Sequence, residues 1–142
     1  MDGCTSCHTL LPSTVNLSAF GGSSFGDPQL YKSIIRSLQF LTVTRPEISY
    51  SVNKLSQFVQ APLDTHWRMV KRIFRYLSRT RNYSLQLNKN SSMQVTAYYN
   101  SDWARDPDDR KSTSGYCVFL GSNLVSWASR KQTAVAQSEV EY

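Results

Sequence analysis

No apolar run in the chain approaches the roughly 18–20 residues that a membrane span requires. Residues 1–20 also lack the basic start and apolar stretch of a secretory signal. These two absences lead to the expectation of an intracellular protein, not secreted, with no membrane partner. Cysteine is scarce, with three in 142 residues, and is expected as thiol rather than disulfide. Charge is sparse as well, at 18% of residues against 40% hydrophobic, which excludes a disordered polyelectrolyte. There is no internal repeat and no heptad. The length suffices for one ordinary domain with a real core.

The most informative scarcity is that of acid in the middle of the chain. Residues 1–28 hold two acids and no Lys or Arg, 29–90 hold eleven Lys or Arg against two acids, and 91–142 hold five against six. A basic middle beside a mildly acidic end suggests two pieces with different tasks, the basic one facing nucleic acid or another anionic surface.

Residues 1–28 are rich in Ser, Thr, Gly and Pro and read as a linker. Asp27 and Pro28 then suit the N-cap and first turn of a helix. Leu30, Ile34, Ile35, Leu38 and Leu41 follow at helical spacing. Thr44-Arg-Pro46 breaks that helix. A second begins there, with Ile48, Val52, Leu55 and Val59 on one stripe, and Ala61-Pro62 ends it. The third runs from Asp64 to Leu77, capped by Asp64 or Thr65, and buries Trp67, Val70, Ile73, Phe74 and Leu77. After Arg81 the period changes to two. Strands are expected around Tyr83–Leu87, Met93–Tyr99, Gly115–Leu120 and Leu124–Ala128, with a turn at Gly121-Ser-Asn123 and helix-forming composition from Thr133. The fold class is α+β.

Cys4-Thr-Ser-Cys7-His8 matches a haem-attachment pattern, but without an export signal it reads as a loop with two thiols. Asp106-Pro-Asp-Asp109, next to Arg105, Arg110 and Lys111, reads as a solvated, charge-balanced loop rather than a metal site. The third helix carries the stronger signal. Arg68, Arg72, Arg75 and Arg79 share the side opposite the apolar stripe, Lys71 flanks them, and no acid occurs between His66 and Arg81. Solvated helix faces usually mix signs; a face of one sign is suited to a phosphate backbone. Asn100-Ser-Asp-Trp103 ends a strand, and Glu139 and Glu141 open a helix. Two-metal nucleases arrange carboxylates in that way, although two candidate acids do not identify such a site by spacing.

Five runs in collinear order resemble the copia-type retrotransposon Pol polyprotein family. They are Tyr31-Lys-Ser-Ile-Ile-Arg-Ser-Leu-Gln-Phe-Leu-Thr-Val-Thr-Arg-Pro-Glu-Ile-Ser-Tyr50, Lys71-Arg-Ile-Phe-Arg-Tyr-Leu77, Ser101-Asp-Trp-Ala104, Arg110-Lys-Ser-Thr-Ser-Gly-Tyr116 and Val125-Ser-Trp-Ala-Ser-Arg-Lys-Gln132. The resemblance extends from about Cys4 to Tyr142. It implies a junction: the end of the reverse-transcriptase region in 1–28, a helical thumb- or connection-like segment in 29–90, and the N-terminal half of a ribonuclease H-like domain, a β-meander and helix start, in 91–142. The intact family would use Mg2+. Its motif Ser-Asp-Ser-Asp-Trp-Ala-Gly stands here as Tyr99-Asn-Ser-Asp-Trp-Ala-Arg105, so Asn100 replaces the metal-binding Asp. Its catalytic Glu corresponds to Glu139 or Glu141, and its remaining catalytic Asp residues are expected beyond Tyr142. The family commonly has Gly where Arg36, Arg79 and Arg105 stand.

The resemblance therefore implies an inactive stretch of Pol that needs no cofactor, has no competent metal site and no small-molecule substrate. Its expected partner is nucleic acid, an RNA–DNA hybrid or duplex, bound weakly and without sequence preference by Arg68, Lys71, Arg72, Arg75 and Arg79. The alternatives are a domesticated nucleic-acid-binding module and a metal-dependent ribonuclease H.

Overall fold

The computed structural model describes residues 10, 16–89, 92–102 and 105–134. Two compact units divide the chain, Met1–Gln86 and Leu87–Tyr142.

The first unit is helical. Helix α1 spans Pro28–Leu41 and α2 spans Ser49–Ser56, preceded by a short 3-10 turn at Pro46–Ile48; α3 spans Asp64–Arg79. Asp27 caps α1, its carboxylate accepting from the Leu30 N–H at 2.9 Å, with Pro28 in the first turn where a missing N–H costs nothing. The core is formed by Tyr31, Ile35 and Leu38 of α1, Ile48, Val52 and Leu55 around α2, Phe58 after it, and Val70 and Ile73 of α3. Tyr31, rather than Leu30, takes the inward position at the start of α1. Its hydroxyl donates to the Leu55 carbonyl at 2.9 Å, which satisfies the polar tip of a fully buried ring. Burial pushes the Tyr31 phenol well above its ordinary pKa.

Two local expectations for this unit are corrected. Neither Asp64 nor Thr65 caps α3; Leu63 is the N-cap residue, and the free N–H there is met by His66 Nδ1 at 3.0 Å. The Ser- and Gly-rich segment, a linker by composition, is docked along 17–25. Leu17 is buried, Phe25 stacks on Trp67 at 4.6 Å, and residues 23–25 exchange backbone hydrogen bonds with 62–64. Isolated apolar residues in polar company carry no period, so composition hides this packing.

The second unit contains an antiparallel sheet in the order β1-β2-β3, with β1 Val95–Ser101, β2 Thr113–Leu120 and β3 Asn123–Lys131. Gly121, at φ 58°, occupies the first position of the two-residue β2–β3 turn, which demands positive φ. A register shift near Val118 and Phe119 lets β3 carry one extra residue, Val125. The strand expected over Tyr83–Leu87 does not form. Alternation supplies a pattern, but a strand also needs a neighbouring strand, and among the described residues no strand forms over 83–87. Just beyond it, Asn123 substitutes a side-chain amide for a strand neighbour. Its Oδ1 accepts from the Asn88 N–H at 2.7 Å and its Nδ2 donates to the Asn88 carbonyl at 2.8 Å. The helix expected from Thr133 falls outside the described residues from 135 onward, as does the Cys4–His8 motif.

Candidate nucleic-acid interface

Helix α3 presents the cationic face. Successive residues turn by 100° along a helix of 3.6 residues per turn, so positions 68, 71, 72, 75 and 79 form one stripe about 16 Å long from first to last. Arg68, Lys71 and Arg79 are exposed, while Arg72 and Arg75 are half-buried. Arg75 Nε is buried and makes no hydrogen bond among the described residues.

Both ends of α3 are pinned by residues that the sequence reading passed over. At the N-terminal end His66 is fully buried and lies over the Phe58 ring at a centroid distance of 3.9 Å. Because Nδ1 accepts from the Leu63 N–H, the proton resides on Nε2, which donates to the Ser18 carbonyl at 2.9 Å. One imidazole thus caps α3 and holds the docked segment. A His three residues after the N-cap, where a capping box would have Glu or Gln, was the available signal.

At the C-terminal end Arg45 is only 7% exposed. Its guanidinium donates to the Thr80 carbonyl at 3.1 Å and to Thr80 Oγ1 at 2.6 Å, and Nε donates to Glu47 at 2.6 Å. Thr80 Oγ1 in turn donates to the Tyr76 carbonyl at 2.9 Å. A cation at a helix C-terminus also meets the negative end of its dipole.

On the sheet, Asn100 lies on β1 opposite Gly115 and is exposed. Asp102, just beyond β1, accepts the Thr113 N–H with one carboxylate oxygen, while its own N–H donates to the Thr113 carbonyl at 3.0 Å. Asp106 is 3% exposed rather than solvated. Its carboxylate accepts from the Asp108 N–H at 2.9 Å and from Lys131 Nζ at 2.9 Å. Lys131 reaches Asp109 too, at 3.0 Å. Partial burial pushes the Lys131 amine down, but hydrogen bonds to Asp106 and Asp109 and their charges raise its pKa above the ordinary value. Asp109 is likewise pushed up by burial, and hydrogen bonds from Lys131 and the Lys111 N–H bring it below its ordinary value. The acidic loop is therefore charge-balanced, as expected, but closed around a buried carboxylate.

The magnesium implied by the ribonuclease H resemblance does not fit the described residues. Asn100 offers a neutral amide oxygen, Asp102 is tied to β2, and Asp106 to Lys131. No three His, Cys, Asp or Glu side chains gather as a metal cluster among the described residues. Glu139 and Glu141 lie outside them.

Similarity to known proteins follows the same stretch. The chain is 42% identical over 133 residues to the retrovirus-related Pol polyprotein from transposon RE2 of Arabidopsis thaliana, a match covering 94% of this chain and 9% of that protein. It is 46% identical over 125 residues to the corresponding polyprotein from transposon RE1 of the same plant, covering 88% of this chain and 8% of the other. An uncharacterized mitochondrial protein of Arabidopsis thaliana is 39% identical over 138 residues, 97% of this chain and 57% of that one. The chain thus spans less than a tenth of the length of each of these two polyproteins. No family model and no solved structure matches it.

Proposed function

The chain belongs to the copia-type retrotransposon Pol polyproteins, and from that premise we propose that it binds nucleic acid through α3 without hydrolysing it. The helical segment corresponds to the thumb- or connection-like part of reverse transcriptase, which grips template and primer. The sheet corresponds to the opening meander of ribonuclease H.

The observation that carries the proposal is the stripe of Arg68, Lys71, Arg72, Arg75 and Arg79 on a helix anchored at both ends. A stripe of fixed geometry meets the phosphates of a duplex or hybrid without rearrangement. Each phosphate neutralised releases condensed counterions, so affinity falls steeply with salt. No base edge is addressed by such contacts, and sequence preference is absent.

Hydrolysis is lost at Asn100. A two-metal site works by concentrating negative charge where divalent ions sit. Asn keeps the shape of Asp but brings a neutral oxygen and two N–H donors.

The test is a salt titration of binding to an RNA–DNA hybrid by the whole chain and by a variant with Arg68, Lys71, Arg72 and Arg75 changed to Gln. Removing four contacts is expected to lower the slope of log affinity against log salt by about three to four. An unchanged slope places the contact elsewhere. Incubating the hybrid with magnesium, against an EDTA control, is expected to leave the RNA strand intact. Metal-dependent cleavage above a purification blank overturns the non-catalytic reading.

A further inference from the structure

At the N-terminal end of the cationic stripe the docked segment and α3 border an open cavity of about 290 Å³, lined by Leu17, Phe20, Thr65, Arg68 and Met69 among others. Leu17 and Met69 supply an apolar surface. Thr65 and the neighbouring Ser18 supply hydroxyls. Arg68, the first member of the stripe, supplies positive charge. Phe20 is 78% exposed, so its ring borders the cavity and remains accessible from solvent.

The backbone that carries the ring is fixed locally. The Phe20 N–H donates to Ser18 Oγ at 3.1 Å, and the Ser18 carbonyl accepts from the buried His66. Gly21 then turns the chain at φ 84°, a conformation a side chain would oppose. Phe20 and Arg68, the first arginine of a stripe suited to phosphate, thus line the same cavity.

We infer that this cavity takes one unpaired nucleobase, stacked on Phe20, when α3 lies along a nucleic-acid backbone. The inference rests on the proposed binding through α3. Three features select this occupant. A cavity near the lower end of small-molecule pocket volumes accommodates a single base rather than a peptide segment. An exposed aromatic ring beside a cationic track is the arrangement that binds unpaired strands. The positive charge at the rim complements the phosphate that accompanies each base. A base within a duplex is already stacked and does not enter. The cavity therefore favours a template overhang or a frayed end over a blunt duplex.

The experiment compares binding of the whole chain to a blunt RNA–DNA hybrid and to the same hybrid carrying a short single-stranded thymidine overhang. The unmodified chain is expected to bind the overhang substrate at least about fivefold more tightly, since stacking on one aromatic contributes about 1–3 kcal/mol. Phe20→Leu, which keeps the side chain apolar but removes its π-face, is expected to abolish that preference and leave the blunt hybrid unaffected. Phe20→Trp is expected to retain it. Equal affinity for the two substrates, or a preference that survives Phe20→Leu, overturns the base pocket while leaving the α3 reading intact. Failure to bind either substrate overturns the α3 reading and the pocket with it. A polyglutamate peptide whose binding is lost in Phe20→Leu assigns the cavity to an acidic protein segment instead and also overturns it.

Discussion

The helical and the sheet units bury different things. In the helical unit eleven apolar side chains, from Leu17 to Ile73, are buried. Among the described residues of the sheet unit no apolar side chain is buried, and the buried groups are polar: Asp106, Ser112 and Thr113. Half-buried Cys117, Phe119 and Trp127 share one sheet face by register, and Tyr98 meets Phe119 edge-on at 6.0 Å. Tyr99 on the other face donates to Ser114 Oγ at 3.0 Å. Helices that pack on one another enclose a core from three directions. A single antiparallel layer closes its backbone hydrogen bonds but leaves its faces to a second layer. The helical unit is consequently held by apolar burial, and the sheet by its ladder and by polar closures such as Lys131 with Asp106.

The strongest way to break this comparison is to truncate one large apolar side chain in each unit. Leu55→Ala, at a fully buried site, is expected to cost about 3 kcal/mol, whereas Phe119→Ala in the central strand costs about 1 kcal/mol. Hydrogen exchange read separately over 28–79 and 95–131 measures both. Equal losses would show that the sheet possesses a core of its own.

A smaller effect tests whether polar pinning matters in the helical unit too. Arg45→Met is expected to destabilise it by about 2 kcal/mol, because it removes two bonds to the end of α3 and leaves Glu47 without its partner. Urea denaturation checks the value. A double-mutant cycle with Thr80→Val isolates the coupling, and strict additivity would show that Arg45 acts elsewhere.

The smallest effect sharpens the account of the sheet's polar loop. Arg110 adopts φ 57°, in the left-handed region that disfavours a side chain. Its N–H donates to the Asp106 carbonyl at 3.0 Å, so the conformation belongs to the loop closure. Arg110→Gly is expected to stabilise the loop by about 1 kcal/mol, read as slower exchange of the amides of 106–111. Faster exchange would mean that the arginine side chain contributes more than its backbone costs.

Much of the helical unit was legible from residue order. Asp27-Pro28 marked the start of α1, and Ile35, Leu38, Val52, Leu55, Val70 and Ile73 stood at positions that a 3.6-residue period turns inward. The cationic stripe was legible for the same reason, since a helix maps spacing directly onto a face. The antiparallel meander was legible from alternation and Gly121. What order alone could not reveal depended on residues distant in sequence. The Tyr83–Leu87 alternation formed no strand among the described residues, and the docking of Leu17 and Phe25 needed α3 to dock against. His66 joining Ser18, and Arg45 joining Thr80, span 48 and 35 residues. Local spacing determines which face a side chain occupies, because the backbone geometry of a helix or strand is periodic. Which distant group meets it is decided only when the chain closes, since that depends on how separate elements share one interior.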